Sequence, residues 1–211
     1  MGRLTFNKTE VKDEGQYLQS NFNQPRFMQT GDSAPAPTEV GTATHLVFQM
    51  LNLTTGEVTE EQVQHTIDQL VRERLIANRR IAAQIDVAGI VEFYQTTLGQ
   101  RILQQPAAVV REQPFSMLLE GDQLFKNLDH DDGQILIHGI IDGYLKGNQG
   151  IELFDYKTDY LLPHDDQRLA EIVDRYQGQV NLYAGALRQM TGLPVSHRYL
   201  YLVKTGTLYE L

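Results

Sequence analysis

Cysteine is absent from this chain of 211 residues. That absence excludes thiol nucleophiles, zinc knuckles, cysteine-ligated iron–sulfur clusters and a disulfide scaffold, and it fits a reducing compartment. No apolar run approaches the ~18 residues that a membrane-spanning helix needs. The first fifteen residues have no apolar centre, so the sequence predicts no signal peptide. We therefore expect a cytoplasmic protein with no membrane association.

Basic residues are also few, 18 against 27 acidic ones, which gives a net charge of −9. Affinity for nucleic-acid phosphates comes mostly from lysine and arginine, so this balance argues against a free-standing nucleic-acid binder. An acidic enzyme can still act on DNA if another chain or domain holds the substrate. The phosphate-binding pattern G-x-x-x-x-G-K-[ST] is missing, so this chain is not an ATP-driven motor. Patterns typical of serine hydrolases (G-x-S-x-G) and zinc proteases (H-E-x-x-H) are missing as well.

Hydrophobic periodicity divides the chain into three parts. Residues 1–38 are polar and proline-containing, and we interpret them as an arm or linker. Residues 42–104 have mostly helical periodicity, with helices expected at about 42–52 and 60–71. Thr59 and Gln62 have the spacing of a capping box at the start of the second helix.

From about residue 105 the period changes to that of strands. Strands are expected at 107–110 and 115–119, with a break or bulge at 112–114 between them. A polar turn at 129–133 precedes a strand at 134–144, and residues 134–157 are expected to form a hairpin. A helix at about 166–191 and a strand at 195–203 follow. Residues 39–211 therefore predict one α/β domain, with a helical block followed by a mixed sheet flanked by helices.

Carboxylates and a lysine come together in the predicted hairpin. Asp142 lies on one strand, and Asp155 and Lys157 lie two apart on its partner, so the last two share a face. Two neighbouring carboxylates repel each other unless a cation lies between them, and oxygen ligands suit Mg²⁺ or Mn²⁺. Lys157 could orient or deprotonate water, or neutralise charge on a phosphate. The alternative is a cross-strand surface salt bridge, worth under ~1 kcal/mol.

These residues resemble the PD-(D/E)xK nucleases of the RecB family. The family pattern G-x-x-D, then D-Y-K-T, then Q-x-x-x-Y on a helix is matched here at Asp142, at 155–158, and at Gln179 with Tyr183. Isoleucine at 141 stands in place of the proline, as is normal for this variant. Gln179 and Tyr183 share a helix face, although such a stripe is also typical of core packing. Upstream, Gly41 to His45 resembles the family's G-T-x-x-H, whereas a lone histidine is otherwise more often an ordinary core or surface residue.

Further segments resemble the nuclease region of the AddA/RexA helicase–nuclease subunits. They are 111–115 (REQPF), 155–159 (DYKTD), 176–179 (YQGQ) and 192–195 (GLPV). The resemblance covers about residues 38–204. It implies a restriction-endonuclease-like core and a metal-dependent DNA exonuclease domain of an ATP-dependent helicase–nuclease complex that processes double-strand breaks for recombinational repair. The partners it implies are DNA, the helicase portion of the parent chain, which alone would use ATP, and a second subunit.

The resemblance also implies roles for single residues. His45, Asp142, Asp155 and the backbone carbonyl of Tyr156 would bind Mg²⁺ or Mn²⁺, and a histidine ligand favours Mn²⁺. Lys157 would position water or stabilise the transition state, and Gln179 and Tyr183 would contact the scissile strand or orient the site. Glu112 would support the ligands from outside. No iron–sulfur cluster is expected, because the cysteines that hold it in some relatives are absent.

Two other functions stay open at this point. The fold could serve as a catalytically silent module for guiding DNA or for subunit docking, or as a stand-alone nuclease acting on ends or flaps. The arginines at 72, 74, 79 and 80 form the one dense basic cluster. We interpret it as a solvated helix face, with a contact to a DNA strand as the alternative.

Overall fold

The structure, a computed structural model, describes residues 34–120, 134–162 and 165–211. Residues 1–33 of the predicted arm and the predicted turn at 129–133 lie outside the described residues. The described helices are α1 (Pro37–Met50), α2 (Glu60–Arg72), α3 (Arg79–Ala82), α4 (Val87–Gln95), α5 (Thr97–Gln104) and α6 (Asp166–Thr191). The described strands are β1 (Val109–Glu120), β2 (Gln134–Gly147), β3 (Gly150–Lys157), β4 (Val195–Leu202) and β5 (Thr207–Glu210).

Local capping sets the helix starts. At α2 the Thr59 hydroxyl accepts from the Gln62 amide at 3.3 Å, and the Gln62 side chain accepts from the Thr59 amide at 2.9 Å, which confirms the predicted capping box. Helix α1 begins at Pro37, five residues before the predicted start at 42. Proline is favourable in a first helical turn, and the Glu39 carboxylate accepts from the Ala36 amide at 3.1 Å. Reading the prolines only as linker signals placed that boundary too late.

The strands form one mixed sheet in the order β1-β2-β3-β4-β5. Neighbours are antiparallel except β3 and β4, which are parallel and joined through α6. The predicted mixed sheet and the hairpin of β2 and β3 are confirmed. The short edge strand β5, at 207–210, was not predicted. The strand expected at 107–110 begins only at Val109, because a 3₁₀ turn covers Pro106–Ala108.

Strand β1 is continuous where the sequence predicted a break or bulge. Arg111 pairs with Gly143 and Gln113 with Ile141, so the register is the same on both sides of Glu112. A bulge would have shifted it by one residue. Pro114 is accommodated because β1 is an edge strand of the described sheet, where a missing N–H leaves no ladder bond unmade.

Helices cover both faces of the sheet. Alternation along β3 sends Phe154 and Tyr156 into a core shared with α1 to α5, and Leu153 into a second core shared with α6. The Tyr156 ring stacks on Phe48 of α1, with ring centroids 3.8 Å apart and planes 7° from parallel. This contact fixes α1 against the strand that carries Asp155 and Lys157.

Arg111 ties the end of α1 to β1. Its Nη1 donates to the carbonyls of Phe48 at 2.7 Å and Leu51 at 2.8 Å. Phe48 lies in the last turn of α1 and Leu51 directly follows the helix, where carbonyls have no partner within the helix. A guanidinium there also interacts favourably with the helix dipole.

Arg111→Met should therefore lower the free energy of unfolding by about 2 kcal/mol, since hydrogen bonds from charged donors contribute about 1.5–3 kcal/mol. Urea unfolding followed by circular dichroism measures the change. The matched control is Arg188→Met, because Arg188 is exposed on α6. Equal stability of the two variants would contradict a role for Arg111 in anchoring α1.

Candidate active site

His45 projects from the buried face of α1 towards β2. It is 7% exposed, and its Nδ1 lies 3.3 Å from Asp142 Oδ1 and 3.9 Å from Glu112 Oε1. Despite this burial, Nδ1 makes no hydrogen bond of good geometry among the described residues. Buried polar atoms are nearly always satisfied, so an unsatisfied ring nitrogen aimed at two carboxylates suggests a missing ligand.

Asp142 lies where the ladder between β2 and β3 ends. The last regular pair is Gly143 with Phe154, and the next bond in line is made by the Asp142 side chain, whose Oδ2 accepts from the Tyr156 amide at 2.9 Å. Burial opposes ionisation of Asp142. Interactions with His45, whose Nδ1 is 3.3 Å away, and with Lys157 outweigh burial and hold the pKa of Asp142 below its ordinary value. The hairpin thus keeps a buried, ionised carboxylate at its open end.

Glu112 reaches the same place from β1 through an unusual backbone conformation. Its φ is 51°, in the left-handed region that side-chain-bearing residues rarely adopt. Such a residue costs of order 1–3 kcal/mol and is typical of functional sites. Burial, and then the neighbouring charge of Asp142, raise the pKa of Glu112 to about 7. The strain therefore holds a carboxylate in a place that is electrostatically unfavourable for it without a cation.

Three of these side chains are arranged as a candidate metal site. One ligand atom from each of His45, Glu112 and Asp142 lies within 4.8 Å of the others. Two carboxylates and a neutral imidazole are a donor set that suits Mn²⁺ or Mg²⁺. The orphaned Nδ1 and the strained Glu112 both fit a cation between them. Glu112, expected only as an outer support, lies inside this cluster, whereas Asp155, expected as a ligand, is not a member of it.

Asp155 lies beside the cluster and is completely buried. Lys157 Nζ is 2.7 Å from its Oδ2, yet neither carboxylate oxygen accepts a hydrogen bond of good geometry from the described residues. Burial, and then the charge of Asp142, raise the pKa of Asp155, and Lys157 only partly offsets them. Lys157 is thus the charge partner of Asp155, and a second cation would offset the repulsion from Asp142 that remains.

Tyr156 lies between Asp155 and Lys157 on β3. Its amide faces Asp142, and the N–H and C=O of one strand residue point to the same neighbouring strand. Its carbonyl therefore points to the same side as the amide, towards β2.

A polar chain connects Lys157 to α6. Lys157 Nζ donates to Gln179 Oε1 at 3.0 Å, and Gln179 Nε2 donates to the Tyr183 hydroxyl at 2.8 Å. Burial disfavours the charge of Lys157, but Asp155 and Asp142 outweigh it and raise the pKa of Lys157. Tyr183 is buried against Phe115, with ring centroids 5.6 Å apart. The stripe on α6 is thus both core packing and part of the site.

Sequence reasoning underrated Glu112 and did not find Asp159, whose carboxylate contacts Tyr176 beside Lys157. The matched segment 111–115 contained the signal for Glu112, but no pattern of residue types indicates a positive φ. In the basic cluster, Arg72, Arg74 and Arg79 are exposed, and no carboxylate of the described residues forms an ion pair with these three.

Comparison with known families matches residues 17–209 to the PD-(D/E)XK nuclease superfamily. Among curated proteins, the A subunit of the ATP-dependent helicase/nuclease of Limosilactobacillus reuteri is 50% identical over 209 residues, which is 98% of this chain and 15% of the relative. The protein of the same name in Limosilactobacillus fermentum is 47% identical over 220 residues, 100% of this chain and 16% of the relative. The protein of the same name in Enterococcus faecalis is 39% identical over 195 residues, which is 92% of this chain and 15% of the relative.

The chain thus spans 15–16% of the length of these three relatives. None of the helices that the structure describes has the length and apolar character needed to cross a membrane.

Proposed function

Because the chain belongs to the PD-(D/E)XK nuclease superfamily, we propose that it hydrolyses DNA phosphodiesters as a divalent-metal-dependent exonuclease. The five-stranded sheet with helices on both faces is the restriction-endonuclease-like core expected of that superfamily. In this proposal the nuclease domain covers residues 39–211 together with the start of α1 at Pro37, and the residues before α1 are an arm or linker to the rest of a longer polypeptide.

The surroundings of the domain are part of the proposal. The relatives' name combines a helicase and a nuclease, so we propose that this domain belongs to a longer chain with a helicase portion that uses ATP. Its other partners would be DNA and a second subunit. The setting would be double-strand break processing and recombinational repair in the cytoplasm. The net charge of −9 supports this arrangement. An acidic domain has low affinity for DNA phosphates, so other parts of the assembly would bind the DNA.

One observation carries the catalytic proposal. A buried histidine and two carboxylates converge within 4.8 Å, directly beside a fully buried Asp155 whose oxygens accept no hydrogen bond of good geometry from the described residues. Buried carboxylates this close together repel one another, and a divalent cation between them would offset that cost. A cross-strand salt bridge at the surface, the alternative that the sequence allowed, does not describe side chains that are 0–7% exposed.

The proposed ligands are His45, Asp142, Asp155 and the Tyr156 carbonyl, to which the structure leads us to add Glu112. When bound, Mg²⁺ or Mn²⁺ supplies the positive charge that activates a water molecule and stabilises the charge developing on the phosphate. In the hydrolysis the water oxygen bonds to phosphorus, one P–O ester bond breaks, and the departing oxygen takes up a proton.

Lys157 and the side chains on α6 have separate tasks. The ammonium donates to Gln179 and forms an ion pair with Asp155, and its remaining donor capacity would stabilise a phosphate oxygen or orient the water. Gln179 is held at both ends, by Lys157 and by Tyr183. We therefore propose that Gln179 and the buried Tyr183 orient the site by fixing the ammonium, and that of the two only Gln179 could contact the scissile strand.

Metal binding separates this proposal from a silent DNA-guiding or docking module. Calorimetric titration should show Mn²⁺ and Mg²⁺ binding to the chain, with affinity reduced at least tenfold in Asp142→Ala, because a central ligand is lost. His45→Gln is the second variant, since it leaves the acceptor for the Tyr156 amide in place. Asp174→Ala is the matched control, because Asp174 is exposed on α6. Absence of binding to the unaltered chain, or equal loss in the control, would favour the docking module.

A further inference from the structure

Tyr176 is a third residue in contact with the ammonium of Lys157, besides Asp155 and Gln179. Lys157 Nζ lies 4.5 Å from the centre of the Tyr176 ring. That is well within the ~6 Å at which a cation is attracted to an aromatic face. Tyr176 precedes Gln179 by three residues on α6, so both lie on one helix face. The helix therefore presents an amide oxygen and a ring face to the same buried charge.

The Tyr176 hydroxyl is bound to Asp159, which also forms an ion pair with Arg175. The Tyr176 hydroxyl donates to Asp159 Oδ2 at 2.7 Å, and Arg175 Nη1 donates to Asp159 Oδ1 at 3.1 Å. Asp159 lies two residues after Lys157, just beyond the end of β3. These bonds link the chain leaving β3 to α6, and both of them are made close to the ammonium.

We propose that Tyr176 is a positioning residue for Lys157, oriented by Asp159. The inference rests on the proposed function and deepens it. Asp155 and Gln179 hold the ammonium by an ion pair and a hydrogen bond, and the ring face 4.5 Å from Nζ limits how far the ammonium can move away from them. Ordinary core packing of Tyr176 requires neither the polar bond to Asp159 nor the ring face over Nζ.

The test compares three variants of the 211-residue chain. Tyr176→Leu removes the ring face and the hydroxyl, Tyr176→Phe keeps the ring and removes the bond to Asp159, and Asp159→Asn weakens that bond. The expected result is a kcat roughly tenfold lower in Tyr176→Leu, in keeping with the strength of a desolvated cation–π contact, with KM unchanged. The kcat of Tyr176→Phe should be close to that of the unaltered chain, because the ring is kept. The kcat of Asp159→Asn should be similar to that of Tyr176→Phe. Tyr160→Leu is the matched control, because Tyr160 is 58% exposed on the same segment.

Two readouts do not depend on turnover. Manganese affinity by calorimetry should be unchanged in Tyr176→Leu, because no proposed ligand is touched. In NMR spectra the Lys157 ε-methylene signal should be shifted upfield by the ring in the unaltered chain and in Tyr176→Phe, and should return to the ordinary lysine position in Tyr176→Leu. Lys157→Arg assigns that signal.

The outcomes distinguish this inference from the function on which it rests. Wild-type kcat in Tyr176→Leu, or a kcat in Tyr176→Phe as low as in Tyr176→Leu, would overturn it, as would an unshifted Lys157 signal in the unaltered chain. Parallel losses of kcat, manganese affinity and melting temperature in Tyr176→Leu would also overturn it, because they indicate a structural role. If the unaltered chain cuts no DNA, the proposed function fails, while the NMR comparison still decides whether Tyr176 holds Lys157.

Discussion

Asp155→Asn is expected to reduce DNA hydrolysis at least ~1,000-fold. The substitution keeps the shape of the side chain and removes the charge of a fully buried carboxylate that is 2.7 Å from the Lys157 ammonium. Losing one preorganised electrostatic contact at a transition state costs about 10²–10³ in kcat. In addition, the substitution weakens binding of the divalent cation for which the carboxylate is a proposed ligand. Single-turnover cleavage of an end-labelled oligonucleotide measures the effect.

The fold of Asp155→Asn should stay intact, because two effects of the substitution oppose each other. Repulsion between Asp142 and Asp155 disappears, which stabilises the hairpin, and the ion pair with Lys157 is lost, which destabilises it. Circular dichroism and thermal unfolding check this. Glu152→Gln is the control, since Glu152 lies on the same strand but pairs with Arg101. A folded Asp155→Asn protein with near-wild-type, metal-dependent cleavage would refute the proposed mechanism.

Lys157→Met is expected to separate turnover from metal binding. The variant should lose about 10²–10³ in kcat, because the charge proposed to face the phosphate is gone. Its affinity for Mn²⁺ should be equal to or greater than that of the unaltered chain, because Asp155 no longer has an ammonium 2.7 Å away competing for its charge. Cleavage kinetics and calorimetry give the two quantities on the same preparation.

The control for Lys157→Met is Lys146→Met, because Lys146 is exposed on β2. Unfolding is measured with Mn²⁺ present, since without the ammonium a buried carboxylate is left unpaired. A fall in manganese affinity parallel to the fall in kcat would contradict the separate role of Lys157, and would assign it to holding the ligands instead.

The sequence predicted the elements that local chemistry determines. Thr59 and Gln62 indicate the start of α2, and strand periodicity over residues 134–157 indicates the hairpin of β2 and β3. Because pairing in a hairpin follows from its turn, the sequence also placed Asp142 across from Asp155.

Other parts of the site depend on backbone geometry or on long-range contacts, and could not be predicted from patterns. Glu112 adopts a left-handed conformation between two paired residues of an edge strand. At this place the sequence indicated only a break or bulge. The contact of Tyr176 with Lys157, and the anchoring of α1 by Arg111, each join residues far apart in the chain. Periodicity carries no information about such pairs, although the resemblance of segments 111–115 and 176–179 to known nucleases pointed to the right places.

Cleavage of DNA with and without a divalent cation tests the central claim most directly. The 211-residue chain is mixed with end-labelled single- and double-stranded DNA in Mg²⁺, in Mn²⁺ or in excess EDTA, and the products are resolved at single-nucleotide resolution. The account predicts progressive shortening from the ends in either metal and no cutting in EDTA. Cutting that persists in EDTA would contradict the metal-dependent mechanism. Intact DNA after incubation with a folded, Mn²⁺-binding chain would contradict the nuclease assignment in favour of a DNA-guiding or docking module.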